Sequence, residues 1–139
     1  MDTRHIEALI VYPGDLIAGE GFQGSGVWIS QDDGLTWSGP HNAGFNSANP
    51  YITALDKDPA HNNVIFASDL YSGVYRSEDN GVTWAPFPDW QMSGLTFRAV
   101  KDLALNNLFL YAATQGGGVF RYVLQESSNS PVLFLLLGN

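Results

Sequence analysis

An eight-residue run, Ser30-Gln31-Asp32-Asp33-Gly34-Leu35-Thr36-Trp37, returns as Ser77-Glu78-Asp79-Asn80-Gly81-Val82-Thr83-Trp84, 47 residues further on. The repeat reaches beyond that run. Gly26-Val27-Trp28 matches Gly73-Val74-Tyr75 and again Gly118-Val119-Phe120, at offsets of 47 and 45. Ile6-Glu7-Ala8-Leu9 matches Ile52-Thr53-Ala54-Leu55 and, more loosely, Val100-Lys101-Asp102-Leu103. Ala18-Gly19, Ala67-Ser68 and Ala113-Thr114 fall in equivalent places between these landmarks. Close to three copies of a unit of roughly 46 residues therefore fill most of the 139-residue chain.

Each copy divides into short apolar stretches separated by turn residues. The first copy predicts strands at Ile6–Val11, Leu16–Gly19, Gly26–Ser30 and Leu35–Trp37. The second predicts Tyr51–Leu55, Asn63–Ala67, Gly73–Ser77 and Val82–Ala85, and the third Phe97–Leu103, Asn107–Ala113 and Gly117–Val123. Pro13-Gly14-Asp15, Asp58-Pro59-Ala60-His61-Asn62 and Asn106-Asn107 supply the turns. No stretch keeps a 3.6-residue period, so helices are expected to be scarce. Four strands in a repeat of this length mark a propeller blade. The expected fold is all-β, with roughly three four-stranded antiparallel blades over about 5–50, 51–96 and 97–125. A polar linker and an apolar C-terminal strand are expected over 126–139. The third copy is irregular. Tyr122 stands where Ser30 and Ser77 stand, and no Asp, Gly and Trp follow it. Its fourth strand is expected either from Val132–Leu137 or from another chain.

Between two β segments the octapeptide is the turn of a hairpin. Asp32 and Asp79 are placed to accept backbone N–H groups across it. Gly34 and Gly81 provide a position with positive φ. Thr36 and Thr83 favour the returning strand, and Trp37 and Trp84 bring apolar area to the packing between blades. With Ser30 and Ser77 these residues form a Ser-x-Asp-x-Gly-x-Thr-Trp pattern that resembles the Asp-box, or bacterial neuraminidase repeat. The resemblance covers residues 5 to about 123. It implies a propeller in which the motif is structural and lies on the face opposite the usual ligand site. Propellers of this type occur in sialidases, xyloglucan-degrading glycoside hydrolases, sortilin-type receptors and a photosystem II assembly factor. The sialidases need an arginine triad, which scattered Arg4, Arg76, Arg98 and Arg121 do not resemble. The sortilin type has a cysteine-rich companion region that is missing here. Gly73-Val74-Tyr75-Arg76-Ser77 is closer to the xyloglucanase group, whose enzymes pair two acidic residues as general acid and base.

The resemblance also implies where a ligand sits. The connections between blades and the second-to-third loops within them share one face. These are Ser38–Pro50 and Pro86–Thr96, with Glu20–Gly24, Asp69–Ser72 and Gln115–Gly117. They carry Phe22, His41, Phe45, Tyr71 and Trp90 as candidate ligand-binding residues. Aromatic faces beside hydrogen-bonding groups suit a carbohydrate. Phe45, Phe87 and Trp90 have an alternative role in packing between blades. Glu20, Asp69 and Asp89 are the weak catalytic candidates, with no motif to single one out. Glu20 and Asp69 occupy equivalent repeat positions and read equally as two solvated loop carboxylates.

Composition removes several function classes. Fourteen acidic against six basic residues, a net charge of −8, count against a nucleic acid or an anionic membrane as partner. The absence of cysteine excludes disulfides, thiolate metal sites and a cysteine nucleophile. His5, His41 and His61 share no spacing, so no metal site and no cofactor are expected. No signal peptide is expected from the opening residues, and the apolar run near the C-terminus is too short for a membrane span. Three blades cannot close, because the smallest ring has four. The expectation is a piece of a larger propeller, a homo-oligomer of two three-blade chains, or a head-to-tail filament. The leading functional expectation is a non-catalytic, extracytoplasmic binding or assembly module for a glycan or a protein. The alternative is a fragment of a xyloglucanase-like glycoside hydrolase.

Overall fold

The computed structural model describes residues 4–12, 14–87, 99–124 and 133–137. Among them are eleven strands and no helix: β1 (Ile6–Tyr12), β2 (Asp15–Glu20), β3 (Val27–Ser30), β4 (Ile52–Lys57), β5 (Ile65–Asp69), β6 (Gly73–Ser77), β7 (Ala85–Pro86), β8 (Val100–Leu105), β9 (Phe109–Thr114), β10 (Gly118–Val123) and β11 (Leu133–Leu137). They form three antiparallel sheets in the orders β1-β2-β3, β4-β5-β6-β7 and β11-β10-β9-β8. Each sheet is one copy of the repeat, and the register repeats with it. Leu9 pairs with Ala18, Leu55 with Ala67 and Leu103 with Ala112, so Ala112-Ala113 and not Ala113-Thr114 is the counterpart of Ala18-Gly19 and Ala67-Ser68. A bulge interrupts the first strand of each sheet at the same place, between Ile6 and Ala8, Ile52 and Ala54, and Val100 and Asp102.

Alternation along the strands gives every blade two faces, the first largely apolar and the second mixing apolar with polar side chains. The first carries Leu9 and Leu16 in blade 1, Leu55 and Ile65 in blade 2, and Leu103 and Leu110 in blade 3. The second carries Ile10 and Ile17 in blade 1. The second face of blade 1 packs on the first face of blade 2, in a core with Ile17, Val27, Ile52, Ile65 and Tyr75. The second face of blade 2 packs on the first face of blade 3, through Phe66, Val74, Val100, Leu110 and Tyr122. Residues buried to this extent each contribute roughly 1.5–3 kcal/mol of apolar transfer. Polar bonds hold the first strands of blades 2 and 3 side by side and in step. Thr53 Oγ1–H donates to the Val100 carbonyl at 2.7 Å, and the Leu105 N–H donates to Asp56 Oδ2 at 3.0 Å. Corresponding ends of neighbouring blades therefore lie together.

The outer strands depart from expectation. Leu35–Trp37 forms no strand, and the fourth strand of blade 1 shrinks to one bridge between Ile29 and Ser38. In blade 2 only Ala85–Pro86 pairs outward, against the expected Val82–Ala85. Thr36 and Thr83 belong to the turn rather than to a returning strand. Their N–H and hydroxyl groups are both held by the turn aspartate, so pairing starts only after them. Blade 3 takes its fourth strand from its own chain, with Arg121 opposite Phe134. Tyr122, at the place of Ser30 and Ser77, is fully buried against Phe87 at 5.1 Å. Lacking the serine turn, the third copy uses that position to fill its core.

Candidate functional site

The two octapeptide turns are built alike. Asp32 accepts the Thr36 N–H at 2.7 Å and the Thr36 hydroxyl at 2.5 Å. Ser30 Oγ–H donates to Asp32 Oδ1 at 2.9 Å while Ser30 Oγ accepts the Gly34 N–H at 2.8 Å. In blade 2 the corresponding four distances are 2.8, 2.5, 2.8 and 2.8 Å. Asp33-Gly34 and Asn80-Gly81 take positive φ in succession, which the glycines adopt without strain. These carboxylates are occupied within the turn. Hydrogen bonds from the Thr36 hydroxyl and N–H hold the Asp32 carboxyl below its ordinary value. Burial alone would raise Asp79, but the Thr83 and Ser77 bonds outweigh it and lower it too.

At the opposite end of the blades, where first strands begin and second strands finish, a different pattern repeats. The Gly21 N–H donates to the His5 carbonyl at 2.8 Å, Leu70 to Tyr51 at 2.9 Å and Gln115 to Ala99 at 2.9 Å. One residue beyond each donor stand Phe22, Tyr71 and Gly116. In blade 1 the His5 and Phe22 rings meet edge to face at 5.8 Å and 89°. In blade 2 Tyr51 and Tyr71 meet in the same way at 6.2 Å and 85°. Phe22 is 56% exposed and Tyr71 81% exposed. Blade 3 carries alanine and glycine at the two positions and has no such pair. The sequence pointed to Phe22 and Tyr71 but missed His5 and Tyr51. Each directly precedes the repeated Ile-x-Ala-Leu, so the repeat extended one residue upstream finds them both.

Glu20 and Asp69 end the second strands of these two blades, and both are buried rather than solvated loop carboxylates, which was one reading of them. Glu20 is 6% exposed and Asp69 1%. Glu20 Oε2 accepts from Ser25 Oγ at 2.5 Å, Arg4 Nη1 at 2.9 Å and Trp28 Nε1 at 3.1 Å. Burial would raise the Glu20 carboxyl, yet the bonds from Ser25, Arg4 and Trp28 outweigh it and keep it below its ordinary value. Asp69 Oδ1 accepts the N–H groups of Tyr51 at 3.0 Å and Tyr71 at 3.5 Å, and Oδ2 accepts from Ser72. Asp69 thereby ties both members of the Tyr51–Tyr71 pair to one carboxylate, while Glu20 secures the loop that bears Phe22. Their place is that of positioning groups.

The remaining candidates separate. The His41 ring bonds to Ser38 Oγ at 3.0 Å. Phe45 is not in the loop cluster; it packs on Tyr75 at 4.5 Å and Trp84 at 5.2 Å. Buried apolar neighbours there remove more of its surface from water than the loop end can. Phe87 is buried between Phe66 and Tyr122. Asp89 and Trp90 lie outside the described residues. Among the described residues no three His, Asp or Glu side chains converge as a metal site would require, and no helix is long and apolar enough to cross a membrane.

The carboxylates give a pH dependence whose sign can be worked out. Glu20, Asp32 and Asp79 are lowered in the folded state, so their contribution is present above the ordinary values of 4.5 and 3.8. It is lost as pH falls through the folded values. Asp56 runs the other way. Burial, with the charge of Asp102 adding to it, raises its carboxyl above 3.8, so ionisation opposes folding as pH climbs through that range. Thermal melts are expected to show falling stability below about pH 4. Asp79→Asn is expected to flatten that fall. Asp56→Asn, which retains an acceptor for Leu105, is expected to raise the neutral-pH melting temperature and to lose its advantage in acid.

No family model matches the chain, and no curated protein matches it. Solved structures do. The GH74 enzyme of Niastella koreensis matches 91% of this chain with a TM-score of 0.64 at 22% identity. An ancestral GH74 enzyme matches 98% of it with a TM-score of 0.69 at 19% identity. A computationally designed protein, Ika8, matches 86% of it with a TM-score of 0.59 at 12% identity. The chain spans only 21% of the length of either GH74 enzyme and 33% of Ika8. At these identities the likeness is one of fold. Three stacked antiparallel sheets of three or four strands, matched over nearly all of the chain, give it the architecture of part of a β-propeller.

Proposed function

We propose that this chain is a non-catalytic module of the Asp-box propeller type that binds a polysaccharide of the β-glucan class outside the cytoplasm. The observation that carries the reading is the repeated ring pair, His5–Phe22 and Tyr51–Tyr71, at one end of adjacent blades. Two exposed rings at equivalent positions of stacked blades suit a polymer whose own units repeat. The C–H faces of sugar rings pack on aromatic faces, and the surrounding hydroxyls and amides satisfy their polar edges. Glu20 and Asp69 are spent on loop positioning, which favours holding a chain over cutting it. The GH74 enzymes among the structural neighbours support a glycan as the ligand class.

Affinity electrophoresis in gels containing xyloglucan or mixed-linkage β-glucan tests this. Retardation is expected, and Tyr71→Ala or Phe22→Ala is expected to weaken it by about tenfold, equivalent to about 1.4 kcal/mol. Both side chains are exposed, so both variants are expected to fold. Migration unaffected by every glucan would rule the reading out. A hydrolytic piece is the second reading, favoured by the same neighbours. It requires release of reducing ends that disappears in Asp69→Asn or Glu20→Gln.

A further inference from the structure

The connection between blades 1 and 2 is bonded to both of the loops that carry the exposed rings. We propose that it is a strut that fixes the spacing of the His5–Phe22 and Tyr51–Tyr71 pairs, with Asn42 and Tyr75 as its positioning residues, and so favours glycan chains long enough to touch both pairs. The ligand in this proposal rests on the glycan reading, but the strut itself is measurable without a ligand.

Asn42 anchors the first end. Its amide donates to the Ser25 carbonyl at 2.5 Å and to the Ala48 carbonyl at 3.0 Å, while its Oδ1 accepts the Val27 N–H at 3.2 Å. Both donors and the oxygen are thereby in use. Ser25 belongs to the blade 1 loop that bears Phe22, and its hydroxyl donates to Glu20, which also holds Arg4 and Trp28. The seat is close-fitting. A Cβ on Gly26, whose φ is 101°, would stand 1.8 Å from Asn42 Oδ1.

Tyr75 anchors the second end. Its ring is fully buried and packs on Phe45 at 4.5 Å. Its hydroxyl accepts the Asn46 N–H at 3.3 Å and donates to Ser72 Oγ at 2.8 Å. Ser72 donates in turn to Asp69, the carboxylate that accepts the N–H groups of Tyr51 and Tyr71. Between the anchors the Phe45 N–H donates to the Asn42 carbonyl at 3.1 Å and closes the intervening residues into a turn. The bonds therefore run from Glu20 through Ser25 and Asn42 to Tyr75, Ser72 and Asp69.

Apolar packing already holds the two sheets together through Ile17, Ile52 and Tyr75. The polar chain adds directional bonds from one ring-bearing loop to the other, which packing does not supply. A ligand that has touched one pair meets the second at an effective concentration set by their spacing. Loosening the strut lowers that gain and leaves contact with either pair alone as it was.

The chain has no cysteine, so nitroxide labels on Phe22→Cys and Tyr71→Cys report the spacing by pulsed dipolar spectroscopy. A narrow distance distribution is expected, and Asn42→Ala or Tyr75→Phe is expected to broaden it. Asn42 is half-exposed and Tyr75→Phe keeps the buried ring, so both variants are expected to fold. In unlabelled protein, soluble β-glucan oligomers of increasing length compete against xyloglucan in the gel. Competition is expected to improve at least about tenfold once an oligomer reaches both pairs, and each variant is expected to lose that step. The anchors act in series, so the double variant is expected to lose no more than either single one. Asn63→Ala, which removes a 2.6 Å bond to the Glu78 carbonyl at the other end of the blades, is expected to lower the melting temperature without changing width or step. Unchanged widths in both variants overturn the strut, and so does a length step that survives a broadened distribution. Failure of every glucan to retard the wild-type chain removes the glycan reading and the length preference with it, and the label widths then decide the strut alone.

Discussion

Trp84→Ala is expected to cost about 3–5 kcal/mol in the folded single chain, and Trp37→Ala about 1 kcal/mol, although both end the same octapeptide. Trp84 is 5% exposed, contacts Phe45 at 5.2 Å and bonds to the preceding segment through His41. Its removal opens a cavity between blades 1 and 2 and orphans the His41 carbonyl. Trp37 is half-exposed and bonds only within its own turn, so alanine there removes surface that water already reaches. Urea titration of the two variants measures the difference. Equal costs would mean that the junction between blades 1 and 2 contributes nothing particular at Trp84.

Gly44→Ala is expected to cost about 3–4 kcal/mol, against about 1 kcal/mol for Gly116→Ala. Both glycines have positive φ, 100° and 77°, so both substitutions carry backbone strain. They differ in space. A Cβ on Gly44 would stand 1.6 Å from the Trp84 carbonyl oxygen, a backbone atom that cannot yield. A Cβ on Gly116 meets nothing within 4 Å. Gly44 is where the connection between blades 1 and 2 passes against the outer edge of blade 2, with the Trp84 N–H donating to Ala43 O at 2.8 Å. Alanine forces that segment away and exposes Trp84 and Phe45. The measurement is again chemical denaturation, and quenching of tryptophan fluorescence by iodide is expected to rise in Gly44→Ala alone.

Much of this was legible in the sequence for a local reason. Turn chemistry acts within a few residues, so Ser30, Asp32, Gly34 and Thr36 specify their hairpin wherever the rest of the chain goes. Strand alternation with the repeated Ile-x-Ala-Leu likewise yields the two-faced blade. Thr36 and Thr83 show the limit of propensity. A β-branched residue favours a strand, but two bonds to a neighbouring carboxylate keep each of them in the turn. Phe45 shows a second limit. As an aromatic in a long loop it reads as a ligand contact, and only the approach of Tyr75 and Trp84 makes it packing. Glu20 and Asp69 stand at matching places, yet nothing local announces that Arg4, Ser25 and Trp28 converge on one, or Tyr51, Tyr71 and Ser72 on the other.

By itself, then, the sequence determined how many units there are, what kind they are and where each turns, because those properties reside in contacts a few residues apart. The tertiary structure decided which of two identical tryptophans is buried, which carboxylates are sealed from water and which loop aromatics pack inside. Those depend on what the neighbouring blade brings to the surface. A repeated motif reads the same whether or not a neighbour is there to cover it.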